Sequence, residues 1–154
     1  RWRPGDYVRS WEQFAFLPGI LECLAKWAHK FRHIILVSNK RGVGKGNMTQ
    51  EELDAVHGRM LDEIRQAGGR IDAVYTCTEL DKDHPRRKPQ TGMFAEACRD
   101  FPDIVPERSI MLGDSHYDRE FAANCGIRFI LMETEELTLR FLEAASSDSS
   151  ESPA

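Results

Sequence analysis

The segment IILVSNKRGVGKGNMT, residues 34–49, decides how the rest of the chain is interpreted. An apolar run stops at Ser38, and glycines and cations follow it. This arrangement suggests a phosphate-binding loop, of which the P-loop G-x-x-x-x-G-K-[ST] is one kind. Here Gly44 and Lys45 are followed by Gly46 instead of serine or threonine, and the motif does not open with glycine. The P-loop interpretation is therefore excluded, and what the end of this strand holds must be inferred from the rest of the chain.

Apolar runs alternate with helical patterns along the chain. The runs predict four short buried strands at Ile34–Val37, Ile71–Tyr75, Ile110–Leu112 and Phe129–Met132. Apolar stripes predict helices around 20–27 and 53–64, and further helices are predicted over 92–100, 117–124 and 135–145. Strands that alternate with helices predict an α/β fold of the Rossmann type, a parallel sheet with helices on both faces. We expect one such domain over residues 1–145 and a disordered serine-rich tail over 146–154.

Composition limits the class of protein. The chain has 154 residues, 41% of them hydrophobic, and a net charge of -4. A mildly acidic chain is not expected to bind nucleic acid, and no apolar run is long enough to span a membrane. The four cysteines are scattered and predict free thiols in a reducing compartment. We expect a cytoplasmic monomer.

Polar groups follow three of the predicted strands. In an open α/β sheet, ligands bind beyond the carboxyl ends of the strands. Ser38, Asn39 and Lys40 follow the first strand, the basic loop 86–89 follows the second, and GDSHYD, residues 113–118, follows the third. A hydroxyl, a lysine and two carboxylates are therefore predicted to meet at one edge.

These groups suit phosphoryl transfer. Asp114 and Asp118 could bind Mg²⁺, although capping and charging the start of a helix would explain them equally well. A cation site, a lysine and a hydroxyl together supply the positioning and charge neutralisation that phosphoryl transfer requires. Two loops carry a concentration of positive charge that favours a small phosphorylated ligand. The basic residues are Lys40, Arg41, Lys45, Arg86, Arg87 and Lys88. For Arg41 and Arg86, an ordinary basic surface patch is the alternative explanation.

Four motifs in the same order carry a family resemblance. FAFLPGILECLAKW resembles the entry and first helix of a phosphatase subclass, and VSNKRGVGKG is similar to its T-N-Q-x-G-I-x-[RK]-G region. RRKPQTGM matches R-K-P-x-x-G-M, and MLGDSHYD matches G-D-x-x-x-D. From about Tyr7 to Met132 the chain thus resembles the haloacid dehalogenase (HAD) superfamily, within the subclass of heptose-bisphosphate and histidinol-phosphate phosphatases.

The resemblance implies a Mg²⁺-dependent phosphatase that acts on a small metabolite through an aspartyl-phosphate. It implies catalytic roles for Ser38, Lys88 and Asp114. Asp114 would be the metal ligand, and Asp118 would support it. It also implies substrate contacts from Asn39, Lys40, Lys45 and Arg87. A heptose bisphosphate is the first expected substrate and histidinol phosphate the second.

The chain departs from the family pattern in three places. The nucleophile motif D-x-D-G-[TV] is absent, and we expect it on a strand just before Arg1. The zinc loop of the subclass is reduced to Cys77 and His84, so no structural zinc is expected. Lys40 replaces a glutamine, which leaves the substrate open. The missing motif leaves two alternatives: a non-catalytic domain that binds a phosphorylated ligand or a partner, and a split protein whose missing strand another chain donates.

Overall fold

The computed structural model describes residues 20–46, 48–113 and 115–131, with only the backbone of residues 41 and 42. The α-helices are α1 (Ile20–Lys30), α2 (Arg41–Gly44), α3 (Gln50–Gln66), α4 (Gly92–Asp100) and α5 (His116–Cys125). The strands are β1 (Ile35–Asn39), β2 (Ala73–Cys77), β3 (Ile110–Gly113) and β4 (Arg128–Leu131), and a 3₁₀ turn spans Pro106–Arg108. The predicted helix over 135–145 and the predicted tail over 146–154 lie outside the described residues.

The order of strands and helices agrees with the sequence pattern. Thr49 caps α3, since its hydroxyl accepts a hydrogen bond from the Glu52 amide at 3.0 Å and the Glu52 carboxylate accepts one from the Thr49 amide at 2.8 Å. The short helix α2 was not predicted, because its two glycines carry no apolar stripe. Strands β1 and β2 also begin later than predicted, at Ile35 and Ala73.

The strands are parallel, as predicted, but they form two separate pairs. Strand β1 pairs with β2, Val37 opposite Tyr75, and β3 pairs with β4, Met111 opposite Phe129. Among the described residues, no ladder joins one pair to the other. The expectation of one continuous sheet is therefore met only in part, and the further strand expected just before Arg1 stays a prediction.

Two apolar layers cover both strand pairs. One contains Val37, Tyr75 and Met111 from the strands with Met93 of α4 and Phe121 of α5. The other packs α1 and α3 against residues in and next to the strands: Leu24, Trp27, Ile34, Ile64, Ile110 and Ile130 are among its members. Successive strand residues point to opposite faces, so Ile110 and Met111 enter different layers. Helices thus lie on both faces, which confirms the predicted α/β architecture.

The described part of the chain contains no helix that could cross a membrane.

Arg70 joins the end of α1 to the start of β1. Its guanidinium donates hydrogen bonds to the carbonyl oxygens of Ala28, Phe31 (2.5 Å) and Arg32 (3.0 Å). It also pairs with the Asp72 carboxylate at 3.1 Å. That carboxylate accepts the Ile34 amide at 2.7 Å, so one planar cation fixes the approach of the chain to β1.

We expect Arg70→Lys to lower the free energy of unfolding by about 2 kcal/mol, because an ammonium cannot reproduce a fork that serves several acceptors. Urea unfolding monitored by circular dichroism measures the change. Arg65→Lys is the matched control, since Arg65 is exposed and its ion pair, with Asp62 at 3.3 Å, lies within α3. Equal stability of the two variants would contradict the role given to Arg70.

Candidate active site at the carboxyl edge of the strands

A buried ion pair forms the centre of the candidate site. Lys88 Nζ lies 2.7 Å from Asp118 Oδ1, and each side chain is only 11% exposed. Lys88 comes from the loop between β2 and α4, and Asp118 from the first turn of α5. The sequence prediction that these two groups meet at one edge therefore agrees with the geometry.

The ammonium of Lys88 also donates a hydrogen bond to the edge of β1 that faces away from β2. The Ile34 carbonyl accepts the Asp72 amide and the Lys40 amide donates to the Cys77 carbonyl, both at 2.7 Å, so the even-numbered positions of β1 face β2. In a parallel pair, the alternate positions face the opposite edge. Val37 is one of these, and its carbonyl oxygen accepts a hydrogen bond from Lys88 Nζ at 3.2 Å. Lys88 therefore links β1 to the first turn of α5.

Asp118 is held on two sides. Its Oδ2 accepts a hydrogen bond from the Ser115 hydroxyl at 3.1 Å, while the Asp118 amide donates back to that hydroxyl at 3.3 Å. Gly113 makes room for the carboxylate, because a Cβ at this position would lie 2.4 Å from Asp118 Cβ and 2.6 Å from Cγ. The G-D-x-x-x-D motif thus needs its glycine for the close approach of α5 to β3.

Asn39, predicted to contact substrate, holds the backbone of Lys88. Its Oδ1 accepts the Lys88 amide at 3.1 Å, and its Nδ2 donates to the Lys88 carbonyl at 3.2 Å. One side-chain amide therefore satisfies both backbone groups of the lysine. The structure assigns Asn39 this positioning role, and its contact with substrate stays a prediction.

We expect Asn39→Leu to lower turnover by about 10-fold, because it leaves two half-buried backbone groups of Lys88 unpaired and frees the loop that orients the ammonium. Steady-state kinetics on the whole protein measures this loss. Gln50→Leu is the control, since the Gln50 amide donates to the exposed Asp54 carboxylate at 2.9 Å, on the surface of α3. An Asn39→Leu variant as active as the control would refute the positioning role.

The remaining predicted cations differ in their surroundings. Lys40 lies close to His57 of α3, and the pKa of that imidazole is lowered from its ordinary value of 6.5 by burial and then by the Lys40 charge. Lys45 is exposed on the turn after α2. Arg87 Nη1 donates to the Leu80 carbonyl at 2.5 Å, so its guanidinium lies against an earlier part of the same loop, the one after β2.

Arg86 belongs less to the basic cluster than the sequence suggested. Its Nε donates to Glu96 Oε2 of α4 at 2.5 Å, so its charge is largely balanced within the protein. The sequence could not show this pairing, because ten positions separate the two residues across a loop.

Ser38 occupies β1 opposite Thr76 and is half-buried beside Asn39. This position agrees with the prediction of a hydroxyl at the end of the strand.

The predicted metal ligand Asp114 lies outside the described residues. Both oxygens of Asp118 are already engaged, by Lys88 and Ser115, which suits a supporting role better than direct ligation.

The described residues do not by themselves make a metal site. No cluster of three or more His, Cys, Asp or Glu side chains occurs in the described ranges 20–46, 48–113 and 115–131. A Mg²⁺ ion would require oxygen ligands in addition to those described here.

Comparison with known proteins places this geometry in a family. Residues 85–149 match the HAD-hydrolase-like family model. D-glycero-alpha-D-manno-heptose-1,7-bisphosphate 7-phosphatase of Mycobacterium bovis is 36% identical over 121 residues, which cover 78% of this chain and 64% of the relative. The chain thus spans 64% of the length of that relative.

Two further proteins match a larger share of their own length. The D-glycero-beta-D-manno-heptose-1,7-bisphosphate 7-phosphatase of Rhodopseudomonas palustris is 31% identical, over 85% of this chain and 77% of that protein. The crystal structure of a B. bronchiseptica D,D-heptose 1,7-bisphosphate phosphatase, complexed with magnesium and phosphate, superposes with a TM-score of 0.75. It is 25% identical and covers 94% of this chain and 82% of its own.

Proposed function

The chain belongs to the HAD-like hydrolase family that includes the heptose-1,7-bisphosphate 7-phosphatases, and from this membership we propose that the whole protein hydrolyses a phosphomonoester of a small metabolite. The substrate is a sugar phosphate, with a heptose bisphosphate first and histidinol phosphate second. The protein acts in the cytoplasm as a monomer.

The observation that carries this proposal is the buried pair of Lys88 and Asp118, 2.7 Å apart at the carboxyl edge. Burying an ammonium is costly unless an opposite charge lies beside it, and Asp118 supplies that charge at 2.7 Å. The ammonium of Lys88 can neutralise a phosphoryl oxygen. Ser38, at the end of β1, offers a hydroxyl to the same group.

The metal and the nucleophile complete the proposal. Asp114 would hold Mg²⁺ together with residues of the D-x-D-G-[TV] segment, and Asp118 supports the site by orienting Lys88. The ion, when bound, supplies charge neutralisation at the phosphoryl oxygens. The attacking aspartate would also come from the D-x-D-G-[TV] segment, outside the 154 residues of this chain.

The test is phosphate release by the whole protein as its native source makes it. D-glycero-D-manno-heptose 1,7-bisphosphate, histidinol phosphate and para-nitrophenyl phosphate serve as substrates, each with Mg²⁺ and with EDTA. We expect hydrolysis with Mg²⁺, fastest for the heptose bisphosphate, and at least about a 100-fold loss with EDTA.

Other outcomes decide between the alternatives. Faster hydrolysis of histidinol phosphate would exchange the first and second substrates. Phosphate binding without Mg²⁺-dependent hydrolysis of any ester would overturn the phosphatase proposal in favour of a non-catalytic ligand-binding domain.

A further inference from the structure

A cleft lies where β1 and β3 begin, at the opposite end of these strands from the candidate active site. Among the residues that line it are Arg32 and His33, which precede β1, and Val105, Arg108 and Ser109, which precede β3. The Val105 side chain is 42% exposed and adds an apolar surface to these polar groups. The cleft can therefore receive a ligand that is both charged and partly apolar.

Hydrogen bonds fix the walls of the cleft. On one wall, the Ser109 hydroxyl and the Arg108 amide both donate to the Val105 carbonyl, at 2.8 Å and 2.9 Å. Between the walls, Asp103 Oδ1 lies 2.8 Å from His33 Nε2 and Asp103 Oδ2 lies 3.1 Å from Arg32 Nη1. A cleft that is already ordered loses less conformational entropy when it binds a ligand.

The charges of the cleft favour an acidic occupant. The Arg32 side chain remains 62% exposed although its Nη1 meets Asp103, and a guanidinium has five N–H donors. Arg108 is exposed as well, and His29 and Lys30 in the last turn of α1 add basic groups just before Arg32. This is a concentration of positive charge in a chain whose net charge is -4.

Charge also distinguishes the two terminal segments that lie outside the described residues. Residues 1–19 contain three arginines and two carboxylates, a formal charge of +1. Residues 132–154 contain six carboxylates and one arginine, a formal charge of -5. Their last part, SSDSSESPA at 146–154, has too few apolar residues to form a core of its own. A surface of opposite charge is what can bind such a segment.

The direction of the chain brings this segment towards the cleft. Strand β4 runs parallel to β3 and ends at Leu131, opposite Gly113, at the end of the strands where the candidate site lies. In an α/β fold, a helix that follows a strand packs back along the sheet. The helix predicted over 135–145 would be about 16 Å long, and the four residues of β4 span about 13 Å. Residue 146 is thus expected near the starts of the strands.

We propose that residues 146–154 bind in this cleft, where Asp148 and Glu151 pair with Arg32 and Arg108. The contact lies within one chain, and a short connection raises the effective concentration of a bound segment to roughly the millimolar range. Individually weak ion pairs then suffice to hold it. The inference does not rest on the proposed phosphatase function, because the residues that line the cleft are separate from the ion pair of the candidate site.

The experiment measures ¹⁵N order parameters of backbone amides in the whole protein at two salt concentrations. Between about 0.01 M and about 1 M salt, the Debye length falls from about 30 Å to about 3 Å. We expect order parameters of the amides at 148–151 above about 0.6 at low salt and below about 0.6 at high salt. The amide signals of Val105 and Arg108 should shift with the same salt midpoint.

Charge reversal tests the pairing. Arg108→Glu should lower the order parameters of the segment below about 0.6 at low salt. Adding Asp148→Lys and Glu151→Lys to that variant should restore the order. Lys26→Glu is the matched control, since Lys26 is exposed on α1 and does not line the cleft. For the case that Arg108→Glu does not fold, Asp148→Asn/Glu151→Gln removes the same pairs from the side of the segment.

The possible results decide the proposal. Order parameters below about 0.6 in the wild type at low salt would overturn it, as would equal values in Arg108→Glu and Lys26→Glu. Order that disappears on dilution would show that the segment binds a second copy of the chain, and this too would overturn binding within one chain. Turnover should be the same in all these variants, so the test of the phosphatase function is independent.

Discussion

Replacing Lys88 by methionine is expected to abolish most turnover and to destabilise the fold. In the proposed function this ammonium neutralises the phosphoryl group, and loss of one such electrostatic contact costs about 10²–10³-fold in kcat. The same change leaves the carboxylate of Asp118, 11% exposed, without the charge 2.7 Å away. Removing one partner of a buried ion pair costs about 3–5 kcal/mol.

Two measurements separate these effects. Kinetics of the whole protein gives the loss of turnover, and urea unfolding gives the loss of stability. The double variant Lys88→Met/Asp118→Leu should recover most of the stability, since an apolar pair of similar size replaces a buried ion pair, but none of the activity. Lys82→Met, at an exposed position of the same loop, is the control and should change neither.

A Lys88→Met variant that unfolds like the wild type would mean that Asp118 is not buried against the lysine. Wild-type turnover in the same variant would remove Lys88 from the catalytic centre and with it the main support for the proposed function.

The sequence predicted most of the fold because its signals are local. The apolar runs that became β3 and β4 differ from the observed strands by about a residue, since a buried strand needs only a short β-branched segment. The capping box is local as well, since Thr49 and Glu52 are three positions apart. The separation of the strands into two pairs depends on contacts between distant segments, which no local pattern records.

The candidate site was predicted at the level of motifs and not at the level of contacts. The family resemblance placed Lys88 and Asp118 in one site, and the pair is observed. The double hydrogen bond of Asn39 to Lys88 joins positions 49 residues apart. Likewise, the sequence of the glycine-rich loop did not indicate that Gly44 lies against Thr78 and Leu80. A glycine that is needed for chain flexibility and one that is needed for close packing of two segments cannot be told apart in a sequence.

Gly113→Ala is expected to displace α5 and, with it, Asp118. The new methyl carbon would lie 2.4 Å from Asp118 Cβ, an atom fixed by the first turn of α5, and 2.6 Å from Oδ2. Since Cβ cannot move out of the way without a movement of the helix backbone, α5 must shift away from β3. Such overpacking costs about 1–3 kcal/mol. The shift also draws Asp118 away from Lys88, and a displacement of about 1 Å can cost about 100-fold in turnover.

The measurements are urea unfolding and kcat of the whole protein, with Gly58→Ala as the control. The control adds the same methyl group in open space within α3, where helix propensity favours alanine by about 1 kcal/mol, so it should be slightly stabilising and fully active. The contrast between the two variants isolates the close approach from the general effect of removing a glycine. If Gly113→Ala instead matched Gly58→Ala in stability and turnover, α5 would not be packed against β3 at Asp118. The lysine would then lack the fixed counter-charge on which its proposed role depends.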